Sequence, residues 1–415
     1  MLPFAPHPDR DAAIDEVHAR PPVPLTPPVE VAHLAFTAGA SEAGELFRRI
    51  AGFELPSDSR HMLQRVSPSL LLRWQRHTEF YSATLFASGS RQAVGVRSSD
   101  VDSLVHFTPD DHRGVQLLVA QRIHVLDDAA ALERALPARD RLAGGRIRGD
   151  VDVRTSFEPD GRGFVHYYLA GNGIGPEQLG RRVSRLIDIE TYRIIALIAL
   201  PLARRVSPRV GELEAELAEV IRLTGDEDTP DDVILDRLAS LASRSEALRA
   251  ETRYRFSAAR AYFGLVEQRL GTLGEAKAGD LQTLTGFIKT RLTPAISTIE
   301  SVAQRQETLS EDLGRALALL RTRVDIAVNR GNQALLASMD RRQGQQVAIQ
   351  QAVEGLSAVA ITYYAVSLFA YLLAGAEKSG FLPFPYAIAV ALAVPVVFAS
   401  VLLAIRRFRH HWTKE

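Results

Sequence analysis

Two uncharged runs near the carboxyl end constrain this chain more than anything else in it. Gly355–Ala374 (GLSAVAITYYAVSLFAYLLA) and Tyr386–Ile405 (YAIAVALAVPVVFASVLLAI) each hold twenty residues without Asp, Glu, Lys or Arg. At about 1.5 Å of rise per residue, roughly 20 apolar residues in a helix cross the ~30 Å hydrocarbon core of a bilayer. Between them, residues 375–385 (GAEKSGFLPFP) contain the helix breakers Gly375, Gly380, Pro383 and Pro385. The pattern predicts a C-terminal two-helix transmembrane hairpin, with spans 355–374 and 386–405. Arg341 and Arg342 precede the first span, and Arg406, Arg407, Arg409 and Lys414 form a basic tail, 406–415, after the second. The turn carries one Lys and one Glu. Positive charge stays on the cytoplasmic side, so both termini are expected in the cytoplasm, as in a multi-pass protein of a bacterial inner membrane. Phe381, Phe384 and Tyr386 suit an outer interfacial belt. Membrane lipid is the first expected partner. A third apolar run, Ile194–Ala203, is too short to span and contains Pro201; it predicts a buried helix segment.

Charge and cysteine content exclude several classes of function. Lys+Arg and Asp+Glu are both 49, so the basic excess of a nucleic-acid binder is missing and no nucleic-acid partner is expected. Only Lys277, Lys289, Lys378 and Lys414 are lysines, which makes arginine the default cation and a single Arg weak evidence for anion recognition. With Cys 0, disulfides, zinc thiolates, iron–sulfur clusters and cysteine nucleophiles are impossible. The opening residues, Met1 to Arg10, lack a basic region followed by an apolar one and are not expected to be a secretory signal.

The rest of the chain divides by pattern. Residues 1–28 form a Pro-rich arm (Pro21, Pro22, Pro24, Pro27, Pro28) around one short helix, Asp11–Ala19. Residues 29–173 alternate as strands at 29–37, 69–74, 80–86, 115–123, 148–157 and 163–169, with helices at 44–51 and 128–136 and a hairpin turn at Glu158-Pro-Asp-Gly161. This predicts an α+β cytoplasmic domain with a mixed or antiparallel sheet. Residues 174–354 then read as long α-helices. The first runs from Pro176 to about residue 223 with a break at Ser207-Pro208. The second covers about 231–270, and the third leads from Asp280 into the first span with a kink at Pro294. Leu313, Leu317, Leu320, Val324 and Val328 give that helix an apolar seam. Below it the seam turns polar: Asp325, Asn329 and Asn332 are candidates for a vestibule. Inside the span, Ser357, Tyr364, Ser367 and Tyr371 share about an 80° arc at 100° per residue. Such a stripe must face protein or water rather than lipid.

No local motif makes an enzyme. Gly171-Asn-Gly-Ile-Gly175-Pro follows a strand and precedes a helix, but it is neither GxGxxG nor a Walker loop, and a tight turn is expected. Arg181, Arg182 and Arg185 nearby could hold an anion; ion pairs with Asp188 and Glu190 are the expected outcome. His77 and Glu79 would share a face if they sat on a strand, and with His124 and His166 could form a metal or acid–base cluster. An ordinary polar sheet face is the competing reading, and no HExxH or GxSxG occurs. The chain is therefore expected not to be an enzyme, with no catalytic or cofactor-binding residue assigned.

The stretches Asp15-Glu-Val-His-Ala-Arg-Pro-Pro-Val-Pro-Leu25, Trp74-Gln-Arg-His-Thr-Glu-Phe80, Gly173–Arg205 and Arg321–Tyr364 resemble an uncharacterised bacterial family of predicted membrane-anchored proteins, a domain of unknown function. That resemblance brings no activity with it. In layout the chain is also similar, more distantly, to the CorA-like magnesium transporters. Their order is a cytosolic α/β domain, long helices, a stalk helix entering the first span, a short outer turn, a second span and a basic tail. The Gly-Met-Asn signature of that superfamily is replaced here by Ala374-Gly-Ala-Glu-Lys378, so magnesium selectivity does not carry over. Two functions follow as expectations. One is a homo-oligomeric cation channel or transporter lined by the Ser357–Tyr371 stripe. The other is a membrane-tethered scaffold or sensor in which that stripe is interhelical hydrogen bonding.

Overall fold

The structure, a computed structural model, describes residues 7–11, 13–14, 21–55, 60–88, 114–137, 142–171, 173–226, 228–378 and 385–412. Most of the short helix expected in the arm, Asn172, the expected turn residues Gly380, Phe381, Pro383 and Phe384, and Lys414 lie outside the described residues. The chain divides into two compact units, Met1–Leu317 and Ala318–Glu415.

In the first unit, strands β1 (Val29–Thr37), β2 (His61–Ser67), β3 (Leu70–Arg76), β4 (Tyr81–Ser88), β5 (Gln116–Leu126), β6 (Ala143–Ile147), β7 (Val151–Pro159), β8 (Val165–Gly171) and β9 (Glu275–Lys277) build one mixed sheet. Its order is β2-β3-β4-β1-β5-β8-β7-β6-β9. Every neighbouring pair is antiparallel except β5 and β8 at the centre. The first face of this sheet is apolar. Leu70, Leu72 and Trp74 of β3, Ala83 and Leu85 of β4, and Ala32, Leu34 and Phe36 of β1 alternate onto it. There they meet Ala43, Leu46, Phe47 and Ile50 of α1 (Ala40–Ala51). The spacing of those four α1 residues is one helical stripe, and Gly52, at φ 81°, ends the helix in the left-handed conformation that glycine adopts without cost. A second helix, α2 (Ala129–Ala135), is capped by Asp128, whose carboxylate accepts from the Ala131 amide at 2.7 Å.

The β7–β8 connection is a hairpin, as the Glu158-Pro-Asp-Gly161 signal predicts. Asp160 closes it by accepting from the Arg162 and Phe164 amides, each at 2.9 Å. Strands β2, β6 and β9 go beyond the sequence-based expectation. They are short or weakly apolar; β2 and β9 form the two edges of the sheet, and β6 lies between β7 and β9.

After Gly175, helix α3 (Pro176–Leu197) begins with Pro at its first turn, which suits proline's fixed φ. The following helix α4 (Ala199–Leu223) runs through Pro208 without a break; the interruption falls at Ile198, ten residues earlier than expected. The apolar run 194–203 is buried at Ile195, Ala196, Ala199 and Ala203, while Ile198 and Pro201 are exposed. Helix α5 (Asp231–Gly271) and the start of α6 (Leu284–Lys378) complete the unit. Buried positions in α4 (Ala203, Val206, Val210, Leu213, Leu217, Val220) and in α6 (Leu292, Ile296, Ile299, Val302, Gln306, Leu309, Leu313) recur at spacings of three and four. Within that packing one polar layer survives, where Thr252 of α5 donates to Gln306 of α6 at 3.0 Å. α6 starts four residues later than the expected Asp280 because Glu275, on β9, caps it. Its carboxylate accepts from the Leu284 and Thr285 amides at 2.7 and 2.9 Å, while Thr283 accepts from Gly286 at 3.0 Å.

The second unit holds the remainder of α6 and α7 (Tyr386–Trp412). Both contain a segment long and apolar enough to cross a membrane, and almost none of either segment is buried.

Glu275→Ala removes the carboxylate that satisfies two first-turn donors and complements the helix dipole. It is expected to cost about 1–2 kcal/mol of stability and to speed hydrogen exchange at Leu284 and Thr285. Unchanged exchange at those two amides refutes the cap.

Candidate functional site

One row across the sheet is polar where a core row would be apolar. The strand registers set Arg73 opposite Thr84, Thr84 opposite His33, and His33 opposite Gln121. Two residues further along, Gln75 lies opposite Ser82. Side chains alternate along a strand, so all six share the face opposite the Trp74 cluster, and all six are buried. Helix α3 covers this face. His33 is held between two hydroxyls, with Nδ1 2.9 Å from Thr84 Oγ1 and Nε2 3.1 Å from Thr191 Oγ1 of α3. Burial, with the nearby charges of Arg73 and His77, pushes its pKa down to about 3, so it is neutral. Farther along α3, Glu190 accepts from Tyr167 Oη of β8 at 2.8 Å and pairs with Arg193. Burial and the facing Glu190 carboxylate drive the Tyr167 phenol well above its ordinary pKa.

Two cavities open on this side of the sheet between β3, α3 and α5, and they share His77 and Tyr192. The larger, about 620 Å³, is walled by Arg60, Arg76, Phe80, Tyr192 and Tyr262. Its floor is the β3–β4 turn, closed by the His77 amide donating to the Phe80 carbonyl at 2.8 Å. The His77 ring stacks on Phe80 at 4.0 Å, and Glu79 is clamped to Arg255 of α5 at 2.8 Å. Burial and the Glu79 carboxylate push Tyr262 up to about 12. The smaller cavity, about 240 Å³, is walled by Arg73, Ser184, Arg185, Asp188 and Arg269 among others.

Of the four residues that could have formed one cluster, the structure forms two separate pairs. His77 and Glu79 lie in the β3–β4 turn rather than along a strand face. His124 and His166 sit on β5 and β8, with His124 Nε2 3.0 Å from His166 Nδ1 and His166 Nε2 2.9 Å from Asp160. Register places His124 on the face opposite Gln121 and His33. Burial, then His166 and Arg122, lowers His124 to about 3. Although burial alone would raise Asp160, the bonds from His166, Phe164 and Arg162 hold it below the usual carboxylate range. Among the described residues no group of three or more His, Asp or Glu could hold a metal ion.

The expected pairing of the α3 arginines also changes. Arg181 reaches Glu177 at 3.8 Å and Arg182 reaches Asp150 at 3.1 Å, while Asp188 binds Arg269 at 3.0 Å. Arg73, Tyr192, Arg269 and Tyr262 were missed as site residues. The available signal was in the strand Leu70–Arg76 (LLLRWQR), whose second face, Arg73 and Gln75, is polar in a strand too apolar to lie at the surface.

In the second unit, Asp325, Asn329 and Asn332 are exposed, and no residue from Arg321 to Ser357 is buried. Ser357, Tyr364 and Tyr371 are exposed and Ser367 is half-exposed.

An α+β unit followed by a helix that continues into an apolar segment, with a second apolar helix after it, is the class of architecture these elements define. The chain belongs to the family described as protein of unknown function (DUF3422), whose model matches residues 5–412. No curated protein matches it.

Both His33 and His124 are neutral in the folded chain and titrate near 3, against about 6.5 when unfolded. The unfolded chain therefore binds protons that the folded one refuses. The stability these groups contribute is complete above pH ~6.5 and is lost as pH falls toward 3, by about 1.4 kcal/mol per pH unit for each histidine. Denaturation between pH 6.5 and 4.5 should show this slope, and His33→Gln should flatten it. An equal slope in wild type and H33Q contradicts the assignment.

Proposed function

We propose that the protein is a membrane-anchored homo-oligomer of CorA-like layout in the bacterial inner membrane. The apolar segments of α6 and α7 form a transmembrane hairpin with both termini cytoplasmic, and α6 lines a path for cations. The observation that carries this reading is the placement of the polar stripe. Within the apolar segment of α6, the buried positions are Ala358 and Thr362. At 100° per residue they lie about 100–140° around the helix from Ser357, whereas Tyr364, Ser367 and Tyr371 fall on its other side, within about 80° of it. The stripe is therefore not used in packing inside its own unit. In hydrocarbon, hydroxyl groups on an uncovered face need protein or water. Further copies of the same helix around an axis supply both, and their oxygens can replace part of a cation's hydration shell. Asp325, Asn329 and Asn332, exposed on the helix before the span, then form an acidic and amide vestibule.

A second reading, a membrane-tethered scaffold or sensor, has its own support: the cleft beneath α3 has the depth and polarity of a ligand site in a unit remote in sequence from the spans. Light scattering on the detergent-solubilised full chain, followed by cation flux in liposomes, separates the two. A closed ring of about five copies, with flux reduced on the order of tenfold by Ser367→Leu at unchanged oligomer mass, is the expected result. A monomer or dimer cannot enclose a path with one helix per copy, and it returns the protein to the tethered reading. The same follows if the ring forms and S367L and wild type are equally impermeable.

A further inference from the structure

Among the described residues three arginines are buried, and two of them end on carboxylates. Arg122 pairs with Glu30 at 3.2 Å and Arg182 with Asp150 at 3.1 Å. The third, Arg73, is 9% exposed and has no carboxylate partner among the described residues. Among the described residues its one side-chain hydrogen bond is a long contact to Ser184 Oγ at 3.5 Å, its Nε has no partner, and its guanidinium lies 5.4 Å from the Phe86 ring centroid. Taking a cation out of water without a counter-charge is among the most costly arrangements a fold can hold.

The surroundings add to the imbalance. Arg73 lines the 240 Å³ cavity together with Arg181, Arg185 and Arg269, against the single carboxylate of Asp188, which is bound to Arg269. Arg185 gives one N–H to the Thr272 carbonyl at 3.0 Å. Burial, then the fields of Arg148, Arg182 and Arg269, pushes its pKa below the ordinary arginine value, with Asp188 opposing. Burial does the same to Arg73, again opposed by Asp188. Planar guanidinium groups converging on a small cavity match an oxyanion, which accepts several charge-assisted bonds at once.

We propose that the cavity between β3, α3 and α5 binds a phosphate-type oxyanion, with Arg73 at its base and Arg185 at its rim. The adjoining 620 Å³ cavity shares His77 and Tyr192 with it and is walled by Phe80 and Tyr262. A phosphomonoester with a flat apolar body therefore fits the pair of cavities better than free phosphate fits the small one. The site lies wholly in the first unit and does not depend on whether the protein conducts ions.

The test is equilibrium dialysis of the full-length protein in detergent at fixed ionic strength, with inorganic phosphate in one arm and phenyl phosphate in the other. One oxyanion per chain is expected, bound at least about tenfold more weakly by Arg73→Gln. Because R73Q removes an uncompensated buried charge, its Tm without ligand should be equal to or above that of wild type; a site in which Arg73 is merely structural gives a lower Tm. Arg185→Gln, at the half-exposed rim, keeps the fold and should also weaken binding. Tighter phenyl phosphate places the ester's body in the larger cavity, and equal affinity confines recognition to the oxyanion; both support the site. No saturable binding in either arm, or equal affinity in wild type, R73Q and R185Q, overturns it.

Discussion

The fold depends on a division of labour between the two faces of one sheet. On one face Trp74, Phe36, Leu72 and Leu85 pack against Phe47 and Leu46 of α1 and supply the apolar burial that any domain of this size needs. On the other face the same strands carry Arg73, Thr84, His33 and Gln121 in register, all of them buried by the helices that follow. Polar groups out of water are stabilising only when bonded. His33 meets that condition through Thr84 and Thr191, and Tyr167 meets it through Glu190. Gln121 does not, since among the described residues neither its Oε1 nor its Nε2 has a partner, and neither does Arg73 at Nε. A row of this kind is a poor way to build a core and a good way to build the base of a cleft. The aromatic wall of Tyr192 and Tyr262 and the turn at His77–Phe80 complete that cleft.

Much of this architecture was legible in the sequence, and the reasons differ by element. β1 is an apolar run buried almost throughout, preceded by proline and followed by Ala38-Gly39, and its limits coincide with the pattern. The β7–β8 hairpin was legible through Asp160, whose side chain needs only its own neighbours to close the turn. The strands β2, β6 and β9 were not: β2 and β6 are short or weakly apolar, and β9, three residues long, exists through its register with the distant β6. The helix interruption at Ile198 rather than Pro208 has a related cause. Proline within a long helix removes one donor, and neighbouring helices hold the geometry together around it.

The cleft was less legible than the fold. His77 and Glu79 were identifiable as polar residues of interest, yet their separation from His124 and His166 follows from strand register across the sheet, which no local spacing encodes. In a chain with four lysines, arginine identity carries little information. What distinguishes Arg73 from Arg122 and Arg182 is the missing carboxylate, and that is a property of three-dimensional neighbours alone. The anticipated ion pairs of Asp188 and Glu190 existed, but with Arg269 and Arg193 in place of the arginines nearest the glycine loop.

Helix α6 changes character at one residue. Up to Leu320 one apolar stripe, Leu309, Leu313, Ala316 and Leu320, is buried, although Leu319 beside it is exposed; the expected seam continues in sequence through Val324 and Val328, but Val328 is exposed and so are Leu335, Leu336, Met339 and Ile349. No residue from Arg321 to Ser357 is buried. This helix exposes large apolar side chains over more than thirty residues, a pattern that marks surfaces of interaction. Lipid can cover only a segment free of charge, and Asp325, Arg330, Asp340, Arg341 and Arg342 exclude it from this one. In the proposed oligomer the cover would be protein with an apolar seam broken by amides and charges at matching intervals. A second copy of the same helix meets that description without any further assumption. The polar stripe lower down, from Ser357 to Tyr371, faces away from Ala358 and Thr362, and in the proposed transmembrane hairpin it would need the same kind of neighbour. Self-association along α6 would meet both requirements with one contact surface.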